Sequence, residues 1–167
     1  MAWNQPYVKA AERILEAFWG DRGFPVDPVY IANELGIKVV RAPLPPRVSG
    51  ALVKMPGEDP VILIHSGDHI RRQRFTCAHE LGHYVYLVRS NEDLESFEVV
   101  DLRSPLSSQG TDPKERFANN FAANLLMPRA EVRRLLAKGY DELEMARYFG
   151  VSEEAMRYRV RFVQEHP

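Results

Sequence analysis

Two histidines four residues apart, with a glutamate directly after the first, stand in the stretch "CAHELGHY", residues 77–84. On a helix turning about 100° per residue, His79 and His83 fall one turn apart on one face, so both imidazoles can reach one ion. Two imidazoles, a carboxylate and an open position make a hydrolytic zinc arrangement. Bound zinc lowers the pKa of its water from ~15.7 to about 7. Glu80, beside the ligands without being one, is placed to take that proton and give it to a leaving amine. The plainer reading, ordinary helix histidines, explains one such residue well and two in register poorly. It also leaves Gly82 unexplained, since glycine inside a helix costs about 1 kcal/mol relative to alanine.

The helix that must carry these groups is expected from about residue 68 to 88. Arg72 and Tyr86 lie within about 20° of His79 on its wheel. The opposite side carries Ile70, Cys77, Leu81, Tyr84 and Val88, which predicts one packing face and a separate chemical face. Arg72 and Tyr86 could donate to a tetrahedral intermediate, and Arg72 could equally form a structural ion pair. His65 and His69, just before the helix, could shape the cleft or stabilise an oxyanion; a surface or strand-end role is the preferred reading. Cys77 falls on the core stripe, where a small buried thiol is the default.

A third ligand must come from elsewhere, because no histidine follows His83 until His166. Downstream carboxylates are Glu92, Asp93, Glu95, Glu98, Asp101, Asp112 and Glu115. Glu115 opens the helix "KERFANNFAANLLMP", where Ala118, Asn119, Ala122 and Leu126 lie near its direction and Phe117, Phe121 and Leu125 form a bulkier face. A small-residue seam would let this helix lie close to the histidine helix, with Gly82 facing it. Asp112-x-x-Glu115 also fits a capping-box pattern, in which the glutamate merely supports the helix start. Asn119, one turn on, is either a partner to a ligand or a packing amide.

Around these two helices the chain reads as mixed elements. A helix is expected from Pro6 to Trp19, ending at "GDRG". "VDPVYIANELGIKVV" reads as helix then strand, with Asp27 as N-cap, Pro28 in the first turn and Gly36 as the stop. "VSGALVKM" and "PVILIHS" flank a turn and suggest a hairpin, and "ESFEVVDL" is a further strand. "RSPLSSQGTDP" is a polar loop. Residues 129–167 read as two or three short helices broken at Gly150. The fold class is α+β with a small antiparallel or mixed sheet.

The chain of 167 residues is 45% hydrophobic and 27% charged with a net charge of -1, which offers no overall basic field for nucleic acid or an anionic membrane. The apolar run "VILI" is far too short to span a bilayer, and the amphipathic N-terminus lacks the pattern of a secretory signal. A single cysteine admits no internal disulfide, and a cytoplasmic location is expected.

"RFTCAHELGHY" followed by "ERFANNFAANLLMP" resembles the ImmA/IrrE family of metallopeptidases, whose members carry "AHELGH" and then "ExxANxFAAxLLMP". "VDPVYIANELGIKV" and "GALV...PVILIH" extend the resemblance over roughly residues 25–165. It implies a helix-rich zincin-like core, here 1–128, and a helix-turn-helix-like subdomain, 129–167, packed on it. It also implies one zinc per chain held by His79, His83 and Glu115, with Glu80 as catalytic base. The implied substrate is a protein, a helix-turn-helix repressor cleaved in trans to release phage, mobile-element or stress genes. A non-proteolytic role as an anti-repressor or toxin–antitoxin partner is the alternative. So is a DNA-binding regulator, since "LEMARYFGVSEEAMRYRVRFV" resembles a helix-turn-helix. Against direct DNA binding, residues 141–167 hold six acidic residues and four arginines, and Glu153 and Glu154 occupy the first turn of the would-be reading helix.

Overall fold

The computed structural model describes residues 5–103 and 112–167, so most of the polar loop expected at 103–113 lies outside the described residues. Helix α1 (Pro6–Ile14) opens with proline in its first turn, and its continuation winds as a π-helical turn over Leu15–Trp19 before Gly20 releases the chain at φ +61°. In α2 (Pro28–Glu34) the Asp27 carboxylate accepts from the Val29 N–H at 2.9 Å. Gly36, at φ +76°, takes the left-handed conformation that stops the helix.

Four strands follow in the order β1-β3-β2-β4: β1 (Lys38–Ala42), β2 (Val48–Lys54), β3 (Val61–His65) and β4 (Phe97–Leu102). β2 and β3 form the expected hairpin, antiparallel with Ala51 opposite Leu63, whereas β1 joins β3 in parallel. The sheet is therefore mixed. Strand alternation turns Leu52, Ile62 and Ile64 inward, all fully buried.

Helix α3 (Ile70–Arg89) crosses this inner face, and α4 (Pro113–Leu126) packs on its far side. Thr76 through His83 are all buried as a result, so the face that carries His79 and His83 is covered as well as the apolar one. Ile70 and Val88, at the two ends of the apolar stripe, are exposed instead. A helix sandwiched between a sheet and another helix is covered on opposite sides in its middle turns and bare at its ends. Cys77 is in the covered part, and burial pushes its thiol up to about 12.

Residues 129–167 form α5 (Arg129–Ala137), α6 (Glu142–Phe149) and α7 (Glu153–Glu165), with a capping box at Asp141/Glu144 and Gly150 ending α6 at φ +65°. Met145, Phe149, Met156 and Val160 belong to the same buried cluster as Leu81, Phe121 and Leu125. Polar ties reinforce this packing. Arg74 on α3 donates to the carbonyls of Val26 (2.6 Å) and Gly150 (3.1 Å). The buried Arg159 on α7 donates to the Met127 carbonyl (2.9 Å) and to Asn124 Oδ1 (2.8 Å).

Candidate metal centre

Two glycines set the spacing around α3. A Cβ on Gly50 of β2 would stand 2.5 Å from Thr76 Cγ2, 2.8 Å from the Leu63 carbonyl oxygen and 3.4 Å from Glu80 Oε1. Its absence seats α3 directly on the sheet. A Cβ on Gly82 would stand 2.8 Å from Ala118 Cα and 3.0 Å from its carbonyl oxygen, so α4 approaches α3 where the small-residue seam was expected. The start of α3 is pinned by Gln73, which accepts from Arg41 Nε (3.0 Å) and donates to the Asp68 carbonyl (2.8 Å).

With the helices so placed, His79 Nε2 and His83 Nε2 lie 3.0 Å apart. Glu115 closes the triangle, with Oε2 3.3 Å from His79 Nε2 and Oε1 3.0 Å from His83 Nε2. Glu115 thus turns to the histidines, while Asp112 caps α4 by accepting from the Lys114 N–H at 2.9 Å. Adjacent ligands of a tetrahedral zinc with bonds of about 2.0–2.1 Å stand about 3.3 Å apart. The three donor atoms, 3.0–3.3 Å from one another, are spaced as such ligands require.

Glu80 is fully buried, and neither carboxylate oxygen has a hydrogen-bond partner among the described residues. Desolvation raises its carboxyl pKa to about 8. Burial pushes His79 down, but the hydrogen bond to Glu115 and the charges of Asp101, Glu80 and Glu115 outweigh it, leaving its pKa raised. Hydrogen bonds from His79 and His83 hold Glu115 well below the usual carboxylate range. A buried, unpartnered carboxylate beside converging imidazole and carboxylate donors is an arrangement that a cation would complete.

The other candidates are held in local contacts. His65 Nδ1 accepts from the Gly67 N–H (3.0 Å) in a turn, and His69 Nδ1 caps α3 through the Arg71 N–H (3.2 Å). Arg72 donates to Ser49 Oγ (3.1 Å) and lies 3.6 Å from Asp68 Oδ2, the structural tie weighed for it. The Tyr86 ring meets Phe117 edge-on at 5.3 Å, packing against α4. Asn119 is half-buried, one turn beyond Glu115.

One residue joins the group that the motifs do not contain. Asp101 on β4 offers a carboxylate oxygen that, with one ligand atom each from His79 and Glu80, forms a set lying within 4.8 Å of one another. The signal for it lies in "FEVVDL", where alternation puts an acid on the same strand face as Phe97 and Val99.

Residues 32–161 match the family model described as the IrrE N-terminal-like domain. The chain is also similar to Metallopeptidase ImmA of Bacillus subtilis (strain 168), at 31% identity over 100 residues, which cover 59% of this chain and 54% of that protein. The chain therefore spans about half the length of the curated relative it matches.

Proposed function

The chain belongs to the IrrE N-terminal-like domain family, and from that premise we propose that it is a zinc-dependent endopeptidase. His79, His83 and Glu115 hold the ion in this reading and Glu80 is the general base. The observation that carries it is the fully buried Glu80 carboxylate, without a hydrogen-bond partner among the described residues, beside three donors 3.0–3.3 Å apart. The relative's name, Metallopeptidase ImmA, supports the same activity.

A zinc ion held there supplies Lewis acidity that polarises a carbonyl and acidifies water near neutral pH. Glu80 accepts the proton that water loses on attacking the scissile carbonyl, then delivers it to the departing amine as the C–N bond breaks. Its buried surroundings keep bulk water from competing for that proton. Among the described residues β4 is the outer strand of the sheet beside the centre, the position at which an extended substrate segment would add as a further strand.

The family resemblance supports a helix-turn-helix repressor as the substrate, cut in trans to derepress phage, mobile-element or stress genes, with residues 129–167 as a subdomain on the 1–128 core. A buried free thiol at Cys77 accords with a reducing cytoplasm. No helix among the described residues is long and apolar enough to cross a membrane.

The reading is tested by measuring zinc content and the cleavage of a proteome-derived peptide library by mass spectrometry, for wild type and Glu80→Gln. Wild type should carry about one zinc per chain and produce cuts that the variant, still loaded with zinc, does not. Zinc-free wild type would refute the metal centre. A zinc-loaded wild type without cuts would turn the assignment to a binding partner that acts without proteolysis.

A further inference from the structure

β2 and β4 together place Asp101 at the centre. Asp101 pairs opposite Gly50, the residue whose missing side chain admits Thr76 and Glu80 to the sheet surface. Strand alternation sends Asp101 to the inner face with Phe97 and Val99, both packed against the core. There its carboxylate comes within 4.8 Å of a His79 ring nitrogen and of Glu80, whose oxygens are buried and without partners among the described residues. The Arg72 guanidinium, which donates to Ser49 Oγ at 3.1 Å, offsets part of the Asp101 charge. Two neighbouring acids, Glu80 on the buried helix and Asp101 on the strand facing it, are unfavourable by themselves and become favourable when a cation joins them.

We propose that Asp101 is a positioning residue of the metal centre, orienting His79 and adding negative charge that retains the cation. The proposal rests on the metal reading above. The triangle of His79, His83 and Glu115 already closes at 3.0–3.3 Å. Asp101 is not one of those three donors; from within 4.8 Å of a His79 ring nitrogen it would act on the centre through His79, as carboxylates beside metal-bound histidines do.

Asp101→Asn keeps the shape and removes the charge; Asp101→Ser removes both. Zinc affinity at pH 7 is measured by competition with a chromophoric chelator, and the melting temperature is measured on the chelated proteins. Both variants should bind zinc roughly ten- to hundredfold more weakly. The chelated variants should melt no lower than chelated wild type, because a neighbouring negative charge has been removed. Unchanged affinity in the variants, with wild type binding one zinc, overturns the proposal and leaves the metal reading standing. A loss of affinity accompanied by a lower chelated melting temperature overturns it as well, since that marks an ordinary strand residue. Wild type without zinc overturns both.

Discussion

Glu80 has both carboxylate oxygens buried without a partner among the described residues, a placement that disfavours its charged form unless a cation is near. Burial moves its pKa from 4.5 to about 8. In chelated protein the native state therefore binds more protons than the unfolded chain across that window, and stability falls as pH rises through it. Glu80→Gln removes this loss. The melting temperature of the chelated variant should exceed that of chelated wild type by a margin that grows from pH 5 to pH 8. A margin that stays constant or shrinks would show that Glu80 is ionised at no cost. The two histidines and Glu80 were legible at this scale because their spacing on one helix is a local matter. Glu115 was only half legible, since one position in "DPKE" suits both a ligand and a helix cap.

Between elements, the decisive contact is the approach of α4 to α3 over Gly82. Alanine there would gain about 1 kcal/mol of helix propensity. Its Cβ, however, would stand 2.8 Å from Ala118 Cα and 3.2 Å from Phe121 Cδ1, and overpacking of this kind costs about 1–3 kcal/mol. Backbone cannot move aside as a flexible side chain can, so the loss should exceed the gain. Gly82→Ala should lower the melting temperature by a few degrees and weaken zinc binding, because α4 carries Glu115. Thermal unfolding with and without chelator measures both effects. A variant that melted higher than wild type would show that the helices have slack at this point. The small-residue seam on α4 was readable from its wheel, and its partner, Gly82, from an otherwise costly glycine. The role of Gly50 is not legible in this way, because a glycine in a strand does not say what lies above it.

At the scale of the whole molecule, α5–α7 share one buried cluster with α3 and α4. Arg159, in a segment that resembles a DNA-reading helix, is buried and donates to Met127 and Asn124. Arg157 lies 3.4 Å from Glu142, and Glu153 and Glu154 are exposed at the start of α7, which puts negative charge where a reading helix presents donors to phosphates. Arg159→Ala strips donors from two buried acceptors and should cost about 2–4 kcal/mol. That corresponds to a fall of roughly 5–15 °C for a chain of this size. Calorimetry should show one transition that moves as a unit. Two resolved transitions, only one of them shifted, would mean that residues 129–167 melt separately.

What the amino-acid order determined by itself is local: the pairing of His79 with His83, the caps at Asp27 and Asp112, the stops at Gly36 and Gly150, and the β2–β3 hairpin. Each depends on helical or strand periodicity, or on a backbone preference, within a few residues. What the tertiary structure decided is which other elements arrive. The parallel joining of β1 to β3 did not follow from spacing, nor did the burial of α3 on both sides or the delivery of Asp101 to His79 and Glu80. Periodicity sets the direction of a side chain about its own axis. Only long-range pairing and the packing of one element on another set what that side chain meets.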